Sequence, residues 1–219
     1  VQKIKELMLT LINHLPGGRL FTGFYFLRKN HLAKSGWRKS VSSRLPSTHE
    51  GLPLPWFTYS SIHFLESRLH PSLTVFEYGS GNSTLWFSSR VQKVCAVEHD
   101  LGWHAFMKEK FSKLPNAVVT HKDLDSGAYE KEILKFHKQF DIIVLDGRNR
   151  VACSKNSLAA LKDGGVLIWD NADRAKYKEG YDFLISNGFK RLDFYGMGPI
   201  SAHSWCTSVF YKSENCLSI

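Results

Sequence analysis

Apolar positions along this chain fall into two kinds of run. From Leu73 to Tyr78 (LTVFEY) they are nearly continuous, as in a strand buried on both faces of a parallel sheet. Val94–Val97, Phe140–Leu145 and Val166–Trp169 repeat that pattern, and Ala117–Thr120 is a shorter version. Between these runs the spacing stretches to the three-to-four-residue period of an amphipathic helix. That period predicts helices over Trp56–Leu69, Leu101–Leu114, Tyr129–His137, Val151–Leu161 and Tyr177–Asn187. Another begins at Asn82 or Ser83, with Leu85, Trp86 and Val91 inward. Pro71, Pro115 and Gly188 supply the stops. Phe189–Tyr195 and Ser204–Tyr211 alternate and close the pattern as strands.

Strands alternating with helices predict an α/β fold, an open, doubly wound, mostly parallel sheet with helices on both faces. The first 55 residues read differently. Val1–Leu15 carries apolar residues at 1, 4, 7, 8, 11, 12 and 15. Such a helix is expected to pack on the domain, the sharper alternative being to lie on a membrane surface. Pro16-Gly17-Gly18 ends it, and 19–55 read as irregular, with an aromatic cluster (Phe21, Phe24, Tyr25, Phe26) and then Pro46, Gly51, Pro53 and Pro55. The expected organisation is a basic, aromatic-rich N-terminal extension or lid over 1–55, a Rossmann-like domain over 56–212, and a frayed tail over 213–219.

Charge sharpens that division. Of a net +9, the segment Leu7–His49 contributes +7, because it holds Arg19, Arg28, Lys29, Lys34, Arg38, Lys39 and Arg44 and no acidic residue. The basic character therefore belongs to the extension, where it suits contact with an anionic surface. No folded nucleic-acid-binding motif is recognisable there. No apolar run approaches the ~20 residues of a membrane span. The four cysteines lack CxxC spacing and read as reduced thiols. Asn82-Ser83-Thr84 is formally a glycosylation sequon, but a glycan there would block the glycine turn. Together these favour a cytoplasmic setting.

Candidate chemistry lies where the predicted parallel strands end. In open α/β sheets the ligand sits beyond the carboxyl ends of the strands, at the switch in strand order. Here those ends carry Glu77, Gly79, Ser80, Gly81, Glu98, Asp123, Asp146 and Asp170. A strand, a glycine turn, a helix, a strand and an acid about 20 residues on make a nucleotide-binding βαβ unit. Dinucleotide binding asks for a third glycine, and Thr84 stands in that position. Glu77 would also oppose a pyrophosphate. A cationic ligand without phosphate fits better.

The ordered set EYGSGNST, VEHD, HKDL, FDIIVLDGRNR and LKDGGVLIWDN resembles the successive motifs of class I S-adenosylmethionine-dependent methyltransferases. The resemblance spans roughly residues 56–211. It implies a seven-stranded sheet with an antiparallel last strand, and S-adenosylmethionine as cofactor. It further implies that Glu77, Gly79, Ser80, Gly81 and Asn82 form the turn under the methionine part, and that Glu98 holds the ribose hydroxyls. His99 would lie beside the adenine, Asp123 and Leu124 would meet its amino edge, and Asp146 would sit below the sulfonium.

For the acceptor, Asp146, Asp170 and Asn171 form a hard-oxygen set at neighbouring strand ends that resembles the Mg²⁺ site of catechol- and caffeoyl-type O-methyltransferases. The lysine base that follows in the catechol type is missing, since Gly147-Arg148-Asn149-Arg150 stands there. Those arginines stay protonated and either bind an anionic acceptor or pair with nearby acids. His203 is a further candidate base. Consecutive prolines of the amide-methylating type are absent. The expected function is therefore methylation of a hydroxyl on a small molecule or glycan. The alternatives are a non-catalytic scaffold on the same fold and an NAD-dependent oxidoreductase.

Overall fold

The computed structural model describes residues 2–29 and 31–219; Val1, where the first helix is expected to begin, lies outside them. The N-terminal region contains α1 (Gln2–Asn13), α2 (Gly18–Lys29), α3 (His31–Lys34) and α4 (Trp37–Ser43). After an extended strap comes α5 (Tyr59–Glu66), whose cap is Thr58, its hydroxyl accepting from Ser61 N–H. The alternating body follows: β1 (Thr74–Tyr78), α6 (Asn82–Ser88), β2 (Lys93–Glu98), α7 (Leu101–Phe111), β3 (Ala117–His121), α8 (Ala128–Lys131) and β4 (Phe140–Leu145). It ends with α9 (Arg150–Ser157), β5 (Leu161–Trp169), α10 (Lys178–Ser186), β6 (Lys190–Gly196) and β7 (Trp205–Tyr211).

These strands form one seven-stranded sheet in the order β3-β2-β1-β4-β5-β7-β6. β1 pairs in parallel with β2 and with β4, so Glu77 lies between Ala96 and Val144. β7 runs antiparallel to both β5 and β6. Alternation along the strands splits the core into two layers. Phe76, Tyr78, Val97, Ile143, Leu145 and Trp169 pack with α8, α9 and α10 on one face. Val75, Val94, Ile142, Val144 and Ile168 pack with α5 and α6 on the other. Burial on both faces explains the continuous apolar runs. The strand order reverses between β1 and β4, and the crevice opens there.

Several expectations need correction. Residues 19–43 are mostly helical rather than irregular. Gly18, expected only to end the first helix, opens α2, and Gly36 precedes α4 in the left-handed region. The first helix does not bury its apolar stripe on the domain, because Leu7, Met8, Leu11 and Leu15 are all exposed. Residues 213–219 are not frayed: Leu217 is buried in the core and Cys216 N–H donates to Gly164 C=O at 2.8 Å. The helix expected over Tyr129–His137 is a single turn, α8, continued by a 3₁₀ turn over Glu132–Lys135. β5 begins at Leu161, across the expected Asp163-Gly164-Gly165 turn, with a bulge in its pairing to β4.

Candidate functional site

The carboxyl ends of β1, β2, β4 and β5 meet at the crevice. Glu77 is 1% exposed, and its Oε2 accepts from Thr84 Oγ1 at 2.6 Å. Thr84 Oγ1 in turn accepts from Gly81 N–H at 3.0 Å. Thr84 thus aims the carboxylate and closes the glycine turn at once, which accounts for a threonine where a dinucleotide site has glycine. Burial pushes the Glu77 carboxyl up to about 7, against the pull of the Ser83 and Thr84 hydroxyls, and the charge of Glu98 adds to the rise.

Glu98 is also buried, but its lone pairs are engaged by the glycine turn and by its own loop. Oε2 accepts from Ser80 N–H and Ser80 Oγ, both at 3.0 Å, and Oε1 accepts from His99 N–H at 2.8 Å and Asp100 N–H at 2.9 Å. A ribose hydroxyl would reach this carboxylate by displacing the Ser80 hydroxyl. His99 turns its ring edge-on to Tyr129, with centroids 5.7 Å apart. Asp123 is exposed in the rim turn after β3, where it accepts from Ser126 N–H at 2.8 Å, a bond that holds its carboxyl below the usual range. Leu124 is half-buried against the core.

Asn82 donates its amide N–H to Pro46 C=O at 2.6 Å, and its buried Oδ1 has no partner. Trp103 Nε1 donates to Ser80 C=O at 2.8 Å. A cavity of about 140 Å³ lies here, lined by Ser80, Gly81, Asn82, Trp103 and Asp146, and roofed by Arg44, Pro46 and Trp56 of the strap. It is smaller than a nucleoside.

A second cavity, about 510 Å³, opens at the end of β5 between Asp146, Asp170, Asn171, Arg174 and His203. Asp146 and Trp56 line both cavities. The Asp146 carboxyl is pushed well above its ordinary value, by burial first and by the charge of Asp170 second, with Arg150 opposing. A quarter of its side-chain surface stays accessible, so water tempers the shift. A further cavity, about 670 Å³, lies between α3, α5 and the end of β6; it includes none of these strand-end acids.

Arg150 organises the wall between β4 and β5. It is 6% exposed and donates to Gly147 C=O at 2.9 Å, to Asp146 C=O at 2.7 Å and to Asp146 Oδ1 at 3.1 Å; it also bonds Asp170 C=O. It therefore pairs with the acids instead of presenting a free cation. Asp170 is committed as well: its Oδ1 accepts from Trp205 Nε1 at 2.8 Å and Thr207 Oγ1 at 2.7 Å, tying β5 to β7. Burial raises its carboxyl to about 6.

The expected Mg²⁺ set of Asp146, Asp170 and Asn171 does not fit a metal. A guanidinium already bonds Asp146, and Asp170 Oδ1 is held by two donors. Among the described residues no group of three His, Cys, Asp or Glu is arranged to hold an ion. Asn171 adopts a left-handed turn (φ 49°) beside the second cavity.

Gly79 and Gly147 bring the ends of β1 and β4 together. Gly79 is in the left-handed region at φ 99°, and a Cβ on Gly147 would collide with the Tyr129 hydroxyl and crowd Gly79 N. Gly147→Ala is expected to cost roughly 1–3 kcal/mol as an overpacking change, read as a lowered urea midpoint with an unchanged slope.

Trp103, Trp56 and the strap contact at Pro46 carry no mark in the sequence as site elements. Thr84 alone carried a usable signal, its departure from glycine.

A scan against protein-family models finds no match, and a search of the curated proteins finds none. Solved structures do match. A precorrin-6y C5,15-methyltransferase from Geobacter metallireducens aligns at TM-score 0.54 and 16% identity over 70% of this chain and 87% of its own. Fibrillarin from Aeropyrum pernix, in complex with S-adenosyl-L-methionine, aligns at 0.52 and 14% over 65% and 68%. Spermidine synthase from Thermotoga maritima aligns at 0.50 and 20% over 68% and 57%. This is the class I S-adenosylmethionine-dependent methyltransferase fold. The carboxyl ends of β1 and β4 meet at the crevice, Asp146 lining it and Glu77 buried against Thr84. The synthase among the matches makes the site, not the fold, the basis for any statement of activity.

Proposed function

We propose that this chain is an S-adenosylmethionine-dependent methyltransferase acting on a hydroxyl of a small molecule or glycan. The observation that carries the proposal is the shared wall: Asp146 and Trp56 border both the cavity at the glycine turn and the larger cavity at the end of β5. A donor in the first and an acceptor in the second would meet at Asp146.

The residues of the first cavity suit the donor. The unpartnered amide oxygen of Asn82 in its wall, with the Glu77 carboxyl buried behind Thr84 of the same turn, would attract a cation and repel a phosphate. Ser80 and Glu98 offer the positions for ribose hydroxyls, and His99 with the Asp123-Leu124 turn flanks the expected adenine place. S-adenosylmethionine supplies an electrophilic methyl on sulfur. The protein's own work is alignment and proton removal. The acceptor oxygen attacks the methyl carbon, the carbon–sulfur bond breaks with its electron pair going to sulfur, and the hydroxyl proton passes to the Asp146 carboxylate. Burial first and the charge of Asp170 second raise this carboxyl above the ordinary carboxylate value, so it holds a proton more readily than an exposed aspartate does.

The Arg174 side chain is exposed at the cavity at the end of β5, with no side-chain hydrogen bond or ion pair among the described residues. An acceptor bearing an anionic substituent would find its counter-charge there. The test is release of S-adenosylhomocysteine during incubation with a panel of hydroxylated acceptors, with and without EDTA. Acceptor-dependent release that survives EDTA is expected. Release abolished by EDTA and restored by Mg²⁺ would overturn the assignment of Asp146 as a metal-free base.

A further inference from the structure

The helical hairpin at the N-terminus has its apolar residues on the wrong side for a protein in water. Pro16-Gly17-Gly18 turns the chain tightly between α1 and α2, and a Cβ on Gly18 would collide with Ile12 C=O. Gly18 N–H donates to Leu15 C=O at 2.9 Å. Among the described side chains of the hairpin, only Gly18 and Thr22 are buried. Leu7, Met8 and Leu11 are 57–64% exposed on α1, Leu15 is 62% exposed in the turn after it, and Leu20, Phe21 and Phe24 are 60–82% exposed on α2. At the α-helical repeat, each set falls within a stripe of roughly 100°. Single exposed leucines are ordinary, but contiguous stripes of this kind mark contact surfaces.

Charge identifies what covers them. The hairpin sequence 2–29 holds five Lys and Arg and one acid, Glu6, and four more Lys and Arg with no acid follow by Arg44. A second copy of the same segment would bring like charge against like. An anionic lipid surface offers an apolar layer for the leucines and phenylalanines and negative headgroups for the arginines and lysines. No helix of the described residues is long and apolar enough to cross a membrane. We propose that α1 and α2 lie in the interface of an anionic bilayer, apolar stripes inward and basic residues at the headgroups. This surface is separate from the candidate site and does not depend on the methyltransferase reading.

The test is co-sedimentation of the full chain with vesicles of phosphatidylcholine alone, or with about one third phosphatidylglycerol. Binding at least about tenfold tighter to the anionic vesicles is expected, weakening in high salt. The double variant Leu11→Glu, Phe24→Glu should lose that binding at least about tenfold, since both apolar contacts are replaced by repelled charges. Its thermal midpoint should match the parent, which shows that the body is folded. Equal affinity for both vesicle types, or no binding to either, would overturn the proposal. So would light scattering that finds the parent dimeric and the variant monomeric, since the stripes would then be covered by a second copy.

Discussion

Asp146→Asn should lower turnover by at least about a hundredfold, the low end of what a positioned base contributes, and leave S-adenosylhomocysteine affinity within a few-fold. Asparagine keeps the shape and the carbonyl oxygen that accepts from Arg150. It loses the proton acceptor and the negative charge between the two cavities. Because the product is neutral at sulfur, its binding has little to lose from that charge. The fall should therefore appear in kcat, with cofactor binding by calorimetry as the control. A variant with near-parent turnover would remove Asp146 from the chemistry and turn attention to His203. A variant that binds no cofactor would instead mark Asp146 as a structural post of the β4 end.

Glu77→Gln should change stability and affinity in opposite directions, and in a defined pH window. In the unfolded chain this carboxyl ionises near 4.5, and in the folded protein near 7. Between those values the folded state holds a proton that the unfolded state lacks. Stability contributed by the neutral carboxyl is complete below 4.5 and is lost as pH rises through 7. Glutamine removes the penalty of burying charge, so at pH 8 the variant should be more stable than the parent, by on the order of 3 kcal/mol for such a displacement. For a domain of this size that is a midpoint rise of about 6–10 °C. Below pH 4.5 the two should converge. Cofactor affinity should move the other way. The parent should bind S-adenosylmethionine more tightly as pH rises from 6 to 8 and Glu77 ionises, and Glu77→Gln should bind weakly with no such dependence. A destabilised variant at pH 8 would mean that the Thr84 hydrogen bond outweighs the buried charge.

What could be read beforehand, and what could not, follows from how each element is stabilised. β1, β2, β4 and the second half of β5 are buried on both faces, so their residues must be apolar and the runs are visible in the chain. The glycine turn is visible because Gly79 needs a positive φ and a close approach to Gly147. Acids at strand ends stand out against the apolar runs that precede them. The strap left no such mark. Its grip on the site is the carbonyl oxygen of Pro46, which any residue would carry. Glu98 was legible as a site residue, but not that Ser80 and two backbone N–H groups would already fill its lone pairs. The metal reading failed for a similar reason. Asp146, Asp170 and Asn171 have the right atoms, while Arg150, four residues beyond Asp146, arrives among them through the fold. In the N-terminal hairpin, glycine and aromatic residues suggest irregular chain after the first helix, where α2 stands. Only three-dimensional placement shows its leucines and phenylalanines turned outward.

Titration calorimetry of the intact protein with S-adenosylhomocysteine at pH 8 bears most directly on the central claim. One site per chain, with dissociation in the micromolar range and weakening on Glu77→Gln, is the predicted result. No heat at high micromolar ligand, from protein shown to be folded, would contradict it.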